Sequence, residues 1–407
     1  MLIKNIKSLL QTSSPKKALR GTLLSELTSV ENAWLLIEKD TIKNYGSMDT
    51  CPDFDGKIID ASGKMILPTW CDSHTHLVFA TSREEEFEMR LKGKSYQEIA
   101  ESGGGILNSA KKLQNTSEDD LFESAWERLN EVIKMGTGAI EIKSGYGLSV
   151  EGELKMLRVI KRLKAKSPIP IKANFLGAHS FPAEYKDNHQ GYIDLIVNEM
   201  LPQIAKEGLA DYIDAFCEKV AFSVAETEQI IEAGAKYGLK AKIHTNQFNC
   251  MGGIELCVKR KALSVDHLEV VNDYEIECLK NSETIATLLP SAPFFLSDPY
   301  QPGRKLVDEG VAVALASDYN PGSSPSGNMN FVVSLACVKL KMTPAEAINA
   351  ATINGACALE LNEEYGSISK GKKANFILTK KIPSIVYIPY AFGSNLVDQV
   401  IINGKIF

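Results

Sequence analysis

Ile66-Leu67-Pro68-Thr69-Trp70-Cys71-Asp72-Ser73-His74-Thr75-His76 is the stretch on which the reading of this chain turns. Its first seven residues, Ile66 to Asp72, form a short, mostly apolar run with the length of a buried strand. Two histidines follow, two positions apart. Successive side chains on a strand point to opposite faces, so His74 and His76 share one face while Thr75 turns away. Both imidazoles can therefore reach one metal ion.

Seven further runs of the same kind lie downstream: Ala139 to Lys143, Ile171 to Leu176, Tyr212 to Phe216, Leu239 to His244, Ala262 to Asp266, Thr284 to Leu289 and Val311 to Ser317. Amphipathic stretches separate them, around Asp119 to Lys134, Glu151 to Lys166, Asp187 to Glu207, Ser223 to Tyr237 and Met251 to Lys259. Alternation of apolar strands with helical stretches is the pattern of parallel βα units. Eight such units match an α/β fold of the (β/α)8 type, which takes roughly 250 residues. A last helical run, Thr343 to Leu361, opens with Thr343-Pro344-Ala345-Glu346, a capping residue, a first-turn proline and a capping-box glutamate. Residues 1–65 and 360–407 read instead as short strands and turns, as in Ala33 to Glu38 and Ala374 to Leu378. The two ends are expected to form one small composite β-sandwich domain beside a barrel of residues 66–359.

Five of the six histidines fall at or just beyond the end of a barrel strand. His74 and His76 follow the first, His179 the third, His244 the fifth and His267 the sixth, whereas His189 opens a helix and receives no role. Strand ends meet around one pocket at the C-terminal face of such a barrel. Asp318 closes the eighth strand. Three imidazoles and one carboxylate, from His74, His76, His244 and Asp318, suit one Zn2+ or Fe2+ ion per subunit, with Zn2+ preferred. A bound metal lowers the pKa of its water to about 7, which would supply hydroxide as a nucleophile. Asp318 also fits a turn-capping role before Tyr319-Asn320-Pro321-Gly322. His267 stands outside the completed ligand set and suits polarisation of a carbonyl or proton transfer.

Bulk properties restrict the partners. The 407 residues are 44% hydrophobic and 24% charged, with a net charge of −6. That acidic balance argues against nucleic acid. Short basic runs, Lys259 to Lys261 and Lys370 to Lys373, read as solvated faces. No apolar stretch has the length of a membrane span, and eight cysteines without C-x-x-C pairs suit reduced thiols and a cytoplasmic setting.

With these residues in place, the chain resembles the amidohydrolase superfamily, whose metal sites use H-x-H on strand one, His on strands five and six and Asp on strand eight. Within it, the sequence is similar along nearly its whole length to the imidazolonepropionase family. The narrower motifs are Asp72 to Phe79 with Arg83, Ser95-Tyr96-Gln97-Glu98-Ile99 before Ser102-Gly103-Gly104-Gly105-Ile106, Glu141 to Leu148, Phe175 to His179 and Ser317 to Gly322. The resemblance implies hydrolysis of the ring amide of 4-imidazolone-5-propanoate to N-formimidoyl-L-glutamate, in histidine degradation, by a homodimer. It also implies substrate contacts by Tyr146 and His179, and by the turn of Asn320, Gly322 and Ser323. Arg83 offers a planar fork of donors for the substrate carboxylate. Gly103 to Gly105 suit a segment that closes on substrate.

One position departs from the ring deaminases of the superfamily, which place a proton-shuttling glutamate three residues after the strand-five histidine. Here Gln247 stands there. An amide cannot exchange a proton near neutral pH, so Gln247 is expected to orient the substrate by hydrogen bonds. The alternative readings are a hydrolytic deaminase of a nitrogen heterocycle and a non-catalytic barrel. Gln247 weighs against the first and the full ligand set against the second. A carbamylated-lysine, two-metal site is disfavoured because strand four ends Asp214-Ala215-Phe216-Cys217-Glu218, with no lysine in the bridging position.

Overall fold

The computed structural model describes residues 1–94, Glu98 and 104–407. Apart from Glu98, the Ser95-to-Ile99 motif lies outside the described residues, as do Ser102 and Gly103 of the glycine motif.

The chain first lays down β1 (Leu2–Leu10), β2 (Ser29–Glu38), β3 (Thr41–Ser47), β4 (Ile58–Asp60) and β5 (Lys64–Pro68). After the barrel it returns with β14 (Phe376–Lys381), β15 (Val397–Ile402) and β16 (Lys405–Ile406), making one mixed sheet of order β16-β15-β14-β5-β1-β2-β3, with β4 beside β1. Alternate residues of its strands face one buried apolar cluster: Ala33, Leu35 and Ile37 from β2, and Phe376 and Leu378 from β14. Fully burying side chains of this size stabilises by roughly 1.5–3 kcal/mol each. Ile42 N donates to the Lys372 carbonyl at 2.8 Å, tying β3 back to the segment before β14.

The barrel consists of β6 (Trp70–Asp72), β7 (Thr137–Lys143), β8 (Ile171–Ala178), β9 (Tyr212–Cys217), β10 (Lys240–Thr245), β11 (Ser264–His267), β12 (Ile285–Leu288) and β13 (Val313–Leu315), parallel and in sequence order. The run Ile66 to Asp72, expected to be one strand, is two. Its first half pairs with β14 and β1 in the terminal sheet, and its second half pairs with β7 in the barrel. The chain changes sheets at Thr69. That switch needs room, since a Cβ on Gly138 would lie 2.0 Å from Thr69 Oγ1.

Helices fill the spaces between strands as their periodicity predicts, among them Glu118–Lys134 and Val150–Lys166. Thr343 and Glu346 form the expected reciprocal capping box. The solvated reading of the run at 370–373 fails for Lys372. That side chain is buried, its ammonium donating to the carbonyls of Asn362 (2.6 Å) and Tyr365 (3.0 Å). Among the described residues, no helix is long and apolar enough to cross a membrane.

Closure of the barrel places the chemistry. Asp318 N donates to the His74 carbonyl at 3.0 Å, and His76 N to the Tyr319 carbonyl at 2.9 Å. Beneath them Asp72 accepts from Ser317 N (3.0 Å) and Ser317 Oγ (2.5 Å). The seam between first and last strands thus sets the carboxylate of Asp318 against the paired histidines.

Candidate metal centre and substrate pocket

Four strand ends converge. His74 Nε2 lies 3.4 Å, and His76 Nε2 3.6 Å, from Asp318 Oδ1. His76 Nε2 and His244 Nε2 face each other at 3.2 Å. The ligand atoms of His74, His76 and Asp318 form one group within 4.8 Å, and those of His74, His244 and His267 a second. All of these side chains are buried.

The donor set fits a divalent ion. Nitrogens about 2.0–2.1 Å from a tetrahedral centre lie roughly 3.3 Å from one another, close to the separations here. His74 Nε2 and His76 Nδ1 are buried with no hydrogen-bond partner, an arrangement proteins rarely leave uncompensated. Burial holds the pKa values of His74, His76 and His244 well below the usual histidine range, helped by Lys143 and by the other imidazoles. Neutral imidazoles are the form that binds metal.

Carboxylates stand behind two of the imidazoles. Asp266 Oδ2 lies 2.7 Å from His74 Nδ1. Asp214 Oδ2 lies 2.9 Å from His244 Nδ1, at ion-pair distance though outside hydrogen-bonding angle, while its Oδ1 accepts from His244 N at 3.1 Å. Such charged partners bias ring orientation, and the hydrogen-bonded Asp266 also fixes the tautomer of His74.

His267 closes the other side of the cluster, its ring 5.3 Å from that of His244 and 5.8 Å from that of His74. Its Nδ1 faces Glu269 Oε1 at 3.3 Å, and Gln301 Nε2 holds the same oxygen at 2.8 Å. Burial opposes a charge on His267, but Glu269, with help from Asp318 and Asp266, outweighs it and lifts the pKa to about 9. Burial raises Asp318 to about 6, against the pull of His267. The backbone is strained at both residues, with φ of +95° at His267 and +54° at Asp318.

The loops after β7 and β8 pack against the imidazole cluster. His179 stacks on His76 at 5.3 Å, and its Nδ1 lies 2.9 Å from the Gly145 carbonyl. Burial brings its pKa down to about 4, so the ring is neutral, with Nδ1–H donating and Nε2 free. Tyr146 lies 5.8 Å from His76 and 5.5 Å from His179, ring to ring. Glu153 anchors this loop by accepting from Gly145 N, Gly147 N and Leu148 N at 2.7–3.1 Å.

Arg83 is paired with Glu86, and its Nε is buried without a partner. Gly322 makes room for it, since a Cβ there would lie 2.3 Å from Arg83 Nη1. Asn320 builds the adjacent turn. Its Oδ1 accepts from Gly322 N and Ser323 N at 2.8 Å, and its Nδ2 donates to the Asp318 carbonyl (2.7 Å) and Ser323 Oγ (2.8 Å). Ser323 Oγ in turn lies 3.4 Å from Asp318 Oδ2. Gln247 is half-buried, two residues beyond β10. A cavity of about 630 Å3, lined by Arg83, Arg128, Tyr319 and Pro321 among others, opens beside this turn.

Sequence reasoning assigned no role to Asp214, Asp266, Glu269, Glu141 or Lys143. A signal existed. Glu141 and Lys143, Lys242 and His244, and Ser264 and Asp266 each stand two apart on otherwise apolar strands, which puts polar pairs on the inward face.

The profile of the Amidohydrolase family matches residues 65–407. Over its full length the chain is 57% identical to an imidazolonepropionase of Christiangramia forsetii and 59% identical to one of Flavobacterium johnsoniae, covering 99% of each. Among solved structures it is similar to a zinc-bound adenosine deaminase from Xanthomonas campestris, with a TM-score of 0.73 at 14% identity, covering 100% of this chain and 92% of that one. A likeness at that identity bears on the fold.

Proposed function

The chain belongs to the imidazolonepropionases of the amidohydrolase family, and on that premise we propose that it hydrolyses the ring amide C–N bond of 4-imidazolone-5-propanoate to N-formimidoyl-L-glutamate. The observation that carries the reading is the convergence of His74, His76, His244 and Asp318 at the barrel seam, with Nε2 of His74 and of His76 turned to Asp318 Oδ1 and Nε2 of His244 facing that of His76. Those four residues would hold one divalent ion, Zn2+ in our reading. When bound, such an ion supplies a nucleophile from water near neutral pH and polarises a carbonyl.

The chain's own residues do the rest. Arg83 receives the propanoate carboxylate by charge-assisted hydrogen bonds. Tyr146 and His179 flank the ring, His179 offering Nε2 as an acceptor. Gln247 hydrogen-bonds the ring amide, and the Asn320–Ser323 turn borders the pocket. Asp318 Oδ2 takes a proton from the attacking water, and the new C–O bond turns the ring carbonyl into an oxyanion. The His267 imidazolium, sustained by Glu269, stabilises that charge. The proton on Asp318 then passes to the departing ring nitrogen as the C–N bond breaks. Gln247 leaves no proton shuttle at the position a ring deaminase would use.

The same reading places the enzyme in the cytoplasm as a homodimer. All eight cysteines are free, which suits a reducing compartment. Incubation with freshly made imidazolone propanoate tests the activity. Loss of ring absorbance with appearance of formimidoyl-glutamate is expected, and no turnover by metal-replete protein would sink the reading.

A further inference from the structure

We propose that Lys143 is a positioning residue for the metal centre, its single ammonium holding the two carboxylates that orient two of the histidine ligands. The inference rests on the ligand set proposed above.

The observation is a shared atom. Asp214 Oδ2 lies 2.9 Å from Lys143 Nζ and also 2.9 Å from His244 Nδ1. Asp266 Oδ2 lies 2.7 Å from His74 Nδ1 and 3.8 Å from the same ammonium. Glu141 Oε1 completes the surroundings of Lys143 at 3.0 Å. All of these side chains are fully buried. Lys143 therefore sits below the pocket floor, one carboxylate removed from His74 and His244 by two separate routes.

The chemistry follows from the charges. Glu141, Asp214 and Asp266 bring three carboxylates into one water-poor space, where unbalanced charge is costly. Lys242 is engaged elsewhere, donating to Ser264 Oγ at 2.9 Å and to the Ala358 carbonyl at 3.4 Å, and it is 4.0 Å from Glu141 Oε2. The balance at Asp214 and Asp266 thus falls to Lys143. A carboxylate can fix the plane and tautomer of a ligand histidine only if it is itself held. Without the ammonium, Asp214 and Asp266 repel each other and turn away from it, and His244 and His74 lose their orientation together.

The test is a double-mutant cycle read on metal binding, using purified full-length chain stripped of metal and titrated with Zn2+ against a competing chelator. Lys143→Met is expected to weaken Zn2+ binding by about 10–100-fold, the usual cost of losing an outer partner of a ligand, and to change the visible spectrum of the Co2+-loaded protein. Asp214→Asn should cost a similar factor. The double variant should cost no more than Lys143→Met alone, because loss of the ammonium already releases Asp214. Thermal midpoints of the metal-free proteins separate a loss of folding from a loss of ligand geometry. Unchanged Zn2+ affinity and Co2+ spectrum in Lys143→Met, or losses that multiply in the double variant, overturn the proposal. If Lys143→Met does not fold, Lys143→Met with Asp214→Asn removes opposite charges together. Its Zn2+ affinity should then fall below that of Asp214→Asn alone, because the route through Asp266 to His74 is lost as well, and an equal affinity overturns the proposal. Wild-type protein that binds neither ion removes the ligand set on which the inference stands.

Discussion

Inside the same barrel, two layers of polar side chains face the axis, equally hidden from solvent and differently completed. In the lower layer, Lys143, Glu141 and Asp214 meet at hydrogen-bonding distances, with Asn174 Nδ2 donating to Glu141 Oε1 at 2.5 Å. In the upper layer, His74, His76, His244 and Asp318 stand 3.2–3.6 Å apart, with His74 Nε2 and His76 Nδ1 bare of partners. Each layer leaves some atoms without partners, Glu141 Oε2 and Asn174 Oδ1 in the lower one, but the lower layer carries its own counter-ion in Lys143, whereas the upper layer turns neutral imidazole nitrogens and a carboxylate toward one another, the arrangement a cation binds. The contrast between layers therefore separates framework from site more sharply than burial or residue type.

The largest effect should come from breaking the upper layer itself. His244→Ala removes one of the proposed ligands and should weaken Zn2+ binding by more than the about 10–100-fold cost of an outer partner, with turnover lost in step. Metal content of the purified variant checks this. Next, His267→Asn should keep the metal while cutting kcat by roughly 10²–10⁴, since Glu269, itself held by Gln301, keeps His267 in place to stabilise the oxyanion. Loss of metal in that variant would instead move His267 into the ligand set. A smaller, one-sided effect is expected at the pocket wall. Arg83→Ala should raise KM by roughly 10–100-fold, as a charge-assisted hydrogen bond is worth about 1.5–3 kcal/mol, with kcat little changed. Gly322→Ala, whose Cβ would press on Arg83 Nη1, should move KM in the same direction by less.

The smallest effect concerns two buried lysines with opposite company. For Lys143, burial disfavours the charge, yet Asp214, Glu141 and Asp266 overcome it and raise the pKa above the usual lysine value of 10.5. Lys372 meets carbonyls instead, and burial lowers its pKa to about 8. The native chain then releases that proton before the unfolded chain does. Between about pH 8 and the ordinary lysine value, the unfolded state binds more protons, so this residue makes stability rise with pH. Thermal midpoints taken from pH 7.5 to 10 should climb less in Lys372→Met than in wild type. An equal climb would show that carbonyl company does not distinguish the two lysines.

How much of this was legible can be judged residue by residue. The strand-helix alternation, the five histidines at strand ends and the carboxylate of Asp318 could all be read along the chain, because period and spacing are local properties. The family profile and the end-to-end similarity to imidazolonepropionases agree with that reading. The break at Thr69 was not legible, since Ile66 to Asp72 is one apolar run whichever sheet each half joins. Its division depends on β14, some three hundred residues later, pairing with the first half. Lys372 was misread for a related reason: a lysine in a basic run looks solvated until the carbonyls of Asn362 and Tyr365 close over it.

The sequence by itself therefore determined the barrel, the types of the proposed ligands and their order along the chain, since each follows from side-chain chemistry and short-range periodicity. Tertiary structure alone decided which oxygen faces which nitrogen. Asp318 meets His74 because the last strand closes on the first, and one ammonium at Lys143 serves carboxylates from β9 and β11 because the barrel brings their inward faces together. Contacts between residues far apart in the chain arise only when the barrel closes, and no local pattern records them.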